Sequence, residues 1–281
     1  MKQLGSRQTA YFASDLHLSA HTPRTLEAFE AWMASIADDN VLIYLIGDLF
    51  EVWCGDDYTD GTTQRFSKTL QSARSTGATV FLMHGNRDFL IGDDFAEQCG
   101  AELLPDPEFL NTGGMVSLIT HGDALCTDDK AYQKFRAESR DEAWQQRFLS
   151  LPLENRLAIA QQARAESKTH KANVSSDIMD VNATAVGNCL QGRWPDGTFV
   201  GKNDVIIHGH THRCAVHYST DHAPDHADHA NQAAQRKGKI QPGMRIVLPD
   251  WNFDTPAPGQ NKGGYLKLET DAAFELVAWT A

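Results

Sequence analysis

A chain of 281 residues with 41% hydrophobic and 22% charged side chains is long enough to bury a full core and lies far from the disordered range. Its net charge of −12 speaks against nucleic acid as a partner, because a broad nucleic-acid footprint needs a basic face. The five cysteines, Cys54, Cys99, Cys126, Cys189 and Cys214, are odd in number and lack CxxC spacing. Neither a disulfide framework nor a structural zinc is therefore expected, and a reducing cytoplasm is.

Strands are expected where β-branched and aromatic residues run together: Thr9 to Ala13, Val41 to Ile46, Ala78 to Met83, Met115 to Thr120 and Val205 to Ile207. Between the first of these lie two helical patterns. Pro23 to Ala37 places Leu26, Phe29, Met33 and Ile36 on one apolar face, and Gln64 to Ser75 reads as a second helix. That alternation predicts a layered α/β fold, with sheets flanked by helices. From Asp128 to about Gln191 strand signals vanish and helical spacings take over, with Pro152 expected to break them into antiparallel pieces. Strands resume with Arg213 to Tyr218, Met244 to Leu248, Tyr265 to Leu268 and Glu275 to Trp279 closing the sheet. The expectation is one domain, 1–281, with residues 125–191 inserted as a helical cap.

Residues 219–239 are rich in His, Asp and Ala, including His222, His226 and His229. With Pro224 and no apolar stripe this tract reads as a solvated surface loop, although its histidines could also bind a stray metal. Met1 to Ala10 has no apolar signal core, and no apolar run approaches the roughly 18 residues that a spanning helix needs. Any membrane contact is expected to be peripheral.

Most of the chemistry-bearing blocks follow an expected strand: Ser14-Asp15-Leu16-His17, Gly47-Asp48, Gly85-Asn86-Arg87-Asp88, His121-Gly122-Asp123 and Gly209-His210-Thr211-His212. Loops beyond the carboxyl ends of sheet strands converge on a common crevice. Asp15 and His17 stand two apart, so an extended loop can turn both to one side, and His210 and His212 repeat the spacing. A mixed oxygen and imidazole set suits Mn²⁺ or a neighbour in the first transition row. Two ions about 3.5 to 4 Å apart need a bridging anion, for which Asp48 is the candidate. One metal is then expected on Asp15, His17, Asp48 and His212, the other on Asp48, Asn86, His121 and His210. His84 and His208 sit on the strand side of their glycines and are expected to pack or to support the donors.

The ordered set Asp-x-His, Gly-Asp, Gly-Asn-x-Asp, His-Gly and Gly-His-x-His, from Asp15 to His212, resembles the calcineurin-like metallophosphoesterase superfamily. Longer strings, among them Gly47-Asp48-Leu49-Phe50-Glu51-Val52-Trp53 and Ile178-Met179-Asp180-Val181-Asn182, are similar to the family of UDP-2,3-diacylglucosamine hydrolases of lipid A biosynthesis. The resemblance implies two Mn²⁺ per chain and hydrolysis of the pyrophosphate of a diacylated UDP-sugar by attack of water on the UMP phosphorus. The products would be UMP and 2,3-diacylglucosamine 1-phosphate. It also implies peripheral association with the cytoplasmic face of the inner membrane, with no obligate protein partner inferred. Asp48, Asn86, Arg87 and His121 become the candidate catalytic residues. Asn86, Arg87, Asp129, Ser167, Lys171 and His210 become candidate substrate contacts, with Lys171 and Val174 standing where relatives carry Asn and Lys. The alternatives are a metallophosphatase or phosphodiesterase for a soluble nucleotide, and a non-catalytic scaffold.

Arg87 bears on that choice independently. Many members of the superfamily resemble Gly-Asn-His-Asp at this place, where His can protonate a departing alkoxide. A guanidinium cannot donate that proton, but its planar fork binds phosphate oxygens. A phosphate leaving group departs without such help, so the exchange fits pyrophosphate cleavage. Structural pairing of Arg87 with Asp88 is the other possibility. In the cap, Asp128 to Lys171 carries nine basic and seven acidic side chains, a local positive balance that suits anionic phosphates or an acidic membrane surface. Trp144, Phe148 and Leu151 are candidates either to line an acyl pocket or to pack the cap onto the sheet.

Overall fold

The computed structural model describes residues 1–173, 178, 180–218, 226–227, 236–255 and 263–279. Its elements in chain order are β1 (Lys2–Gln3), β2 (Thr9–Ala13), α1 (Pro23–Ile36), β3 (Val41–Ile46), α2 (Gly61–Ser75), β4 (Thr79–Met83), α3 (Asp93–Cys99) and β5 (Glu102–Leu104). A hairpin of β6 (Glu108–Thr112) and β7 (Met115–Ile119) follows, then four helices: α4 (Lys130–Ser139), α5 (Glu142–Leu149), α6 (Leu153–Asn173) and α7 (Ala183–Leu190). The chain continues through β8 (Val205–His208), β9 (Ala215–Tyr218), β10 (His226–Ala227), β11 (Arg236–Lys239), β12 (Met244–Val247), β13 (Gly264–Glu269) and β14 (Ala273–Ala278).

All six residues of β3 are buried, because both of its faces are covered. Val41, Ile43 and Leu45 point into a core shared with Phe29 and Trp32 of α1 and Phe66 of α2. Leu42, Tyr44 and Ile46 point the other way, into a core shared with Val205, Ile207, Met244 and Ile246. The second core lies between two sheets. One runs β11-β14-β13-β2-β3-β4-β5 and the other β1-β6-β7-β8-β12-β9-β10. The late strands thus divide between the sheets: β9 and β12 extend β8, while β13 and β14 extend β2. Within the first sheet β2, β3, β4 and β5 are parallel, as are β7, β8 and β12 within the second. Their carboxyl ends point to the metal-type blocks.

Local chemistry sets the boundaries. Pro23 opens α1, where its missing N–H costs nothing. Helix α2 starts three residues ahead of the expected Gln64 because Asp60 and Thr63 form a capping box: Asp60 Oδ1 accepts from Thr63 N at 2.8 Å, and Asp60 N donates to Thr63 Oγ1 at 2.9 Å. Pro152 falls between α5 and α6, and its carbonyl accepts from Asn155 N and Arg156 N at the start of α6. Elements not expected from sequence are β1, β5, β6, β10, β11 and α3. In β6 the alternation is genuine but polar residues, Glu108 and Thr112, occupy buried positions and disguise it. In the His-rich tract, the backbone of His226–Ala227 and Arg236–Lys239 pairs as strands at the sheet edges instead of looping freely. His222 and His229, together with the rest of that tract, lie outside the described residues, as do Val174 and the side chains of His226, Lys168 and Lys171.

Candidate metal centre

Each ligand block lies where its strand runs out: Asp15 and His17 after β2, Asp48 after β3, Asn86 after β4, His121 after β7, and His210 and His212 after β8. The site therefore joins the carboxyl ends of both sheets. Among the described residues six non-glycine residues have positive φ, and five of them are Asp15, His17, Asp48, His210 and His212. Such backbone costs about 1–3 kcal/mol per residue and persists where the surroundings impose it. Here it turns the side chains inward from chains that have just left a strand. Glycine is required for the same convergence: a Cβ on Gly85 would lie 2.1 Å from the Asp48 nitrogen, and one on Gly209 2.3 Å from Asp15 Oδ2.

The donors gather in two groups, Asp15 with His17 and His212, and Asp48 with His121 and His210, the ligand atoms of each lying within 4.8 Å of one another. In the first, Asp15 Oδ1 is 3.4 Å from His212 Nε2 and 3.9 Å from His17 Nε2. In the second, Asp48 Oδ1 is 3.6 Å from His121 Nε2, and Asn86 Oδ1 approaches that nitrogen at 3.2 Å. Asp48 Oδ2 meanwhile faces His17 Nε2 at 3.8 Å, so one carboxylate presents an oxygen to each group. Among the described residues Asp15 Oδ1 is buried without a hydrogen-bond donor, whereas Oδ2 accepts from Ser14 Oγ at 2.7 Å and from His210 N at 2.8 Å. A buried orphan oxygen ringed by imidazole nitrogens fits a divalent cation. His121 Nδ1 lies 3.1 Å from the Ile46 carbonyl, which fixes the proton there and leaves Nε2 as a lone-pair donor.

The donors shift one another's protonation. Burial disfavours a charged His212, but Asp15 and Asp250 outweigh it and push its pKa up to about 10. Burial and the adjacent His121 bring His210 down to about 4. Burial likewise opposes ionisation of Asp15, yet His212 and the other imidazoles hold its carboxyl well below the usual range.

Asp88 supports the centre from behind. Its oxygens accept from the backbone nitrogens of Gly85 at 2.7 Å, Leu49 at 2.6 Å and Asp48 at 3.2 Å, tying two ligand loops together. Burial and the nearby Asp48 raise its pKa to about 6. Asp88 is thus committed to backbone, and Arg87 turns instead to the donors, with Nε 3.8 Å from Asp48 Oδ2. His84 binds the Ile91 carbonyl at 2.6 Å, and buried His208 contacts the Gly209 carbonyl and Arg245, so both support the loops as expected.

A cavity of about 530 Å³ opens on the donors and runs along α4, α5 and α6. Asn86, Arg87, Asp129, Ser167, His210 and His212 face it, and Phe89, Leu90, Phe135, Trp144, Phe148 and Ile159 give it an apolar wall. Trp144 and Phe148 are stacked at 5.1 Å. Both line the cavity, and Phe148 also belongs to the core packed on the first sheet. Leu151 is not part of the wall. Asp129 additionally caps α4, its Oδ1 accepting from Tyr132 N at 2.9 Å. Sequence reasoning singled out neither Glu51, Tyr132, Phe135, Ile159, Arg164 nor Arg213 as lining residues. A helical signal existed for α6, where Ile159, Ala163 and Ser167 fall four apart on one face.

The calcineurin-like phosphoesterase family matches residues 9–214. The chain is 40% identical to the UDP-2,3-diacylglucosamine hydrolase of Bordetella parapertussis over 99% of its own length and 98% of that protein's. It is 42% identical to the enzyme of the same name from Xanthomonas campestris pv. campestris, covering 96% and 99% of the two chains. With that of Chromohalobacter salexigens it shares 37% identity over 95% and 96%. The two-sheet architecture, the paired donor groups and these matches agree, and the chain belongs to the calcineurin-like phosphoesterase family.

Proposed function

We propose that this protein hydrolyses the pyrophosphate bond of UDP-2,3-diacylglucosamine, giving UMP and 2,3-diacylglucosamine 1-phosphate for lipid A biosynthesis. Full-length similarity to hydrolases of that name supports the substrate. The observation that carries the reading is the position of Arg87, which lies beside Asp48 and lines the apolar cavity. A soluble phosphoester has no use for such a wall, whereas a substrate with acyl chains and a diphosphate needs both apolar surface and a fixed cation.

Asp15, His17, Asp48 and His212 would hold one Mn²⁺, and Asp48, Asn86, His121 and His210 the other. When bound, such a pair supplies Lewis acidity and a water that is nucleophilic at neutral pH. The residues of the chain do the rest. Asp48 carries the charge shared between the two groups, and Asn86 adds an amide oxygen without adding charge. Arg87 keeps its proton and binds phosphoryl oxygens through its fork, stabilising charge that grows as the bridge oxygen departs. No protonation of the leaving group is needed, because the sugar phosphate leaves as an anion. Asn86, His210, Asp129 and Ser167, with Lys171, orient the substrate, and helices of the segment 125–191 form a cap that receives the acyl chains. Among the described residues no helix is long and apolar enough to cross a membrane. Access to the lipid would come by peripheral contact with the cytoplasmic face of the inner membrane.

Turnover of UDP-2,3-diacylglucosamine, UDP-glucose and an aryl phosphodiester by the Mn²⁺-loaded protein tests the reading. Strong preference for the acylated sugar nucleotide is expected; preference for the aryl phosphodiester would refute it.

A further inference from the structure

Beyond the two donor groups, one carboxylate reaches both a donor histidine and the cap. Glu51 Oε2 lies 3.2 Å from Nδ1 of His17, and Oε1 is ion-paired with Arg164 of α6. Nδ1 of His17 is buried and makes no aligned hydrogen bond to any described group, and Glu51 approaches it as an ion-pair partner at 3.2 Å. Nε2 of the same ring faces Asp15 and Asp48.

The approach of Glu51 is set by backbone. Glu51 N donates to the Leu18 carbonyl at 3.0 Å and Leu18 N to that of Leu49 at 2.9 Å, so the Asp15 and Asp48 blocks run side by side. A pattern recurs at the other imidazoles: Nδ1 of His121 has the Ile46 carbonyl at 3.1 Å, and Nδ1 of His212 has Asp250 Oδ2 at 3.4 Å. Of these three acceptors, Glu51 is the one joined to the cap.

We infer that Glu51 is a positioning residue for His17. Its carboxylate accepts a hydrogen bond from Nδ1–H, which leaves the Nε2 lone pair as the donor toward a cation and fixes the plane of the ring. Arg164 holds the carboxylate in that orientation from the cap. A carboxylate behind a ligating histidine raises its basicity and orients it, and loss of one lowers metal affinity by about 10- to 100-fold. This inference rests on the reading of Asp15, His17 and His212 as a metal site. The competing role, in which Glu51 only fastens α6 to the sheet, predicts no effect on metal binding.

The test titrates the metal-free, full-length protein with Mn²⁺ and follows free Mn²⁺ by electron paramagnetic resonance. Two sites are expected in the parent. Glu51→Ala should weaken one of them about 10- to 100-fold and leave the other in place. Glu51→Gln, which keeps an acceptor oxygen, should recover most of the loss. Two sites of parental affinity in Glu51→Ala, or no recovery in Glu51→Gln, would overturn the inference while the metal reading stands. A parent that binds no Mn²⁺ would overturn the metal reading itself. The ¹⁵N shifts of His17 in the metal-free parent need no substitution: a protonated Nδ1 is expected, and a protonated Nε2 with bare Nδ1 would overturn the assignment even if Glu51→Ala does not fold.

Discussion

The backbone nitrogen of Arg87 donates to Asp48 Oδ1 at 2.8 Å while its own guanidinium Nε lies 3.8 Å from Asp48 Oδ2. One residue therefore fixes the orientation of the carboxylate between the donor groups and also sets a permanent positive charge beside them on the cavity wall. The two substitutions at this pair should behave differently.

Asp48→Asn removes the charge shared by both groups but keeps shape and the contact with Arg87 N. Turnover is expected to fall on the order of 1,000-fold, as loss of a preorganised electrostatic partner does at its upper range. Metal content by elemental analysis should drop below two per chain, with the unfolding midpoint of the metal-free protein changed by only a few degrees. Near-parental turnover with two metals would remove Asp48 from the bridge.

Arg87→His is expected to cost roughly 100-fold on the acylated UDP-sugar, because the phosphate fork is lost. The introduced imidazole can protonate an alkoxide or phenoxide, so an aryl phosphodiester should lose far less or improve. Steady-state rates on both substrates check this, and equal losses on the two would contradict the leaving-group argument.

Metal binding should release a proton. The neighbouring carboxylates outweigh burial and raise the pKa of His212 to about 10, so in the metal-free protein the ring is protonated at neutral pH and the proton competes with the cation. Affinity is therefore expected to rise with pH, by up to about tenfold per unit below that pKa, and to level off above it. Calorimetric titration with Mn²⁺ in two buffers of different ionisation enthalpy measures the release. Binding without proton release, or affinity that falls as pH rises, would contradict the assignment of His212.

Ala163 lies on the cavity face of α6. Ala163→Phe narrows the cavity beside α6 and should raise KM for the long-chain substrate by roughly tenfold, with a much smaller change for a short-acyl analogue. Equal effects on both would place the acyl chains elsewhere.

Much of this site was legible because the strands that carry it are apolar runs buried on both faces. Thr9–Ala13 and Val41–Ile46 are strands with the bounds expected, and the metal-type blocks begin at or just beyond their strand ends. The structure brings Asp15, His17 and His212 together in one group and Asp48, His121 and His210 in another. What stayed hidden has a physical cause. Glu108 and Thr112 mask a strand by occupying buried positions, and α3 is too short, at seven residues, to show a periodic face. Asp88 reads as a possible partner for Arg87, and only three-dimensional geometry reveals that backbone nitrogens occupy it. The roles of Glu51 and Arg164 depend on contact between segments over 100 residues apart, which no local pattern records.

Hydrolysis of UDP-2,3-diacylglucosamine in ¹⁸O-labelled water with Mn²⁺, read by mass spectrometry of the products, tests the central claim most directly. The expected result is metal-dependent formation of UMP bearing one ¹⁸O and of unlabelled 2,3-diacylglucosamine 1-phosphate. Label in the sugar phosphate, or turnover indifferent to Mn²⁺, would contradict attack on the UMP phosphorus at the two-metal site.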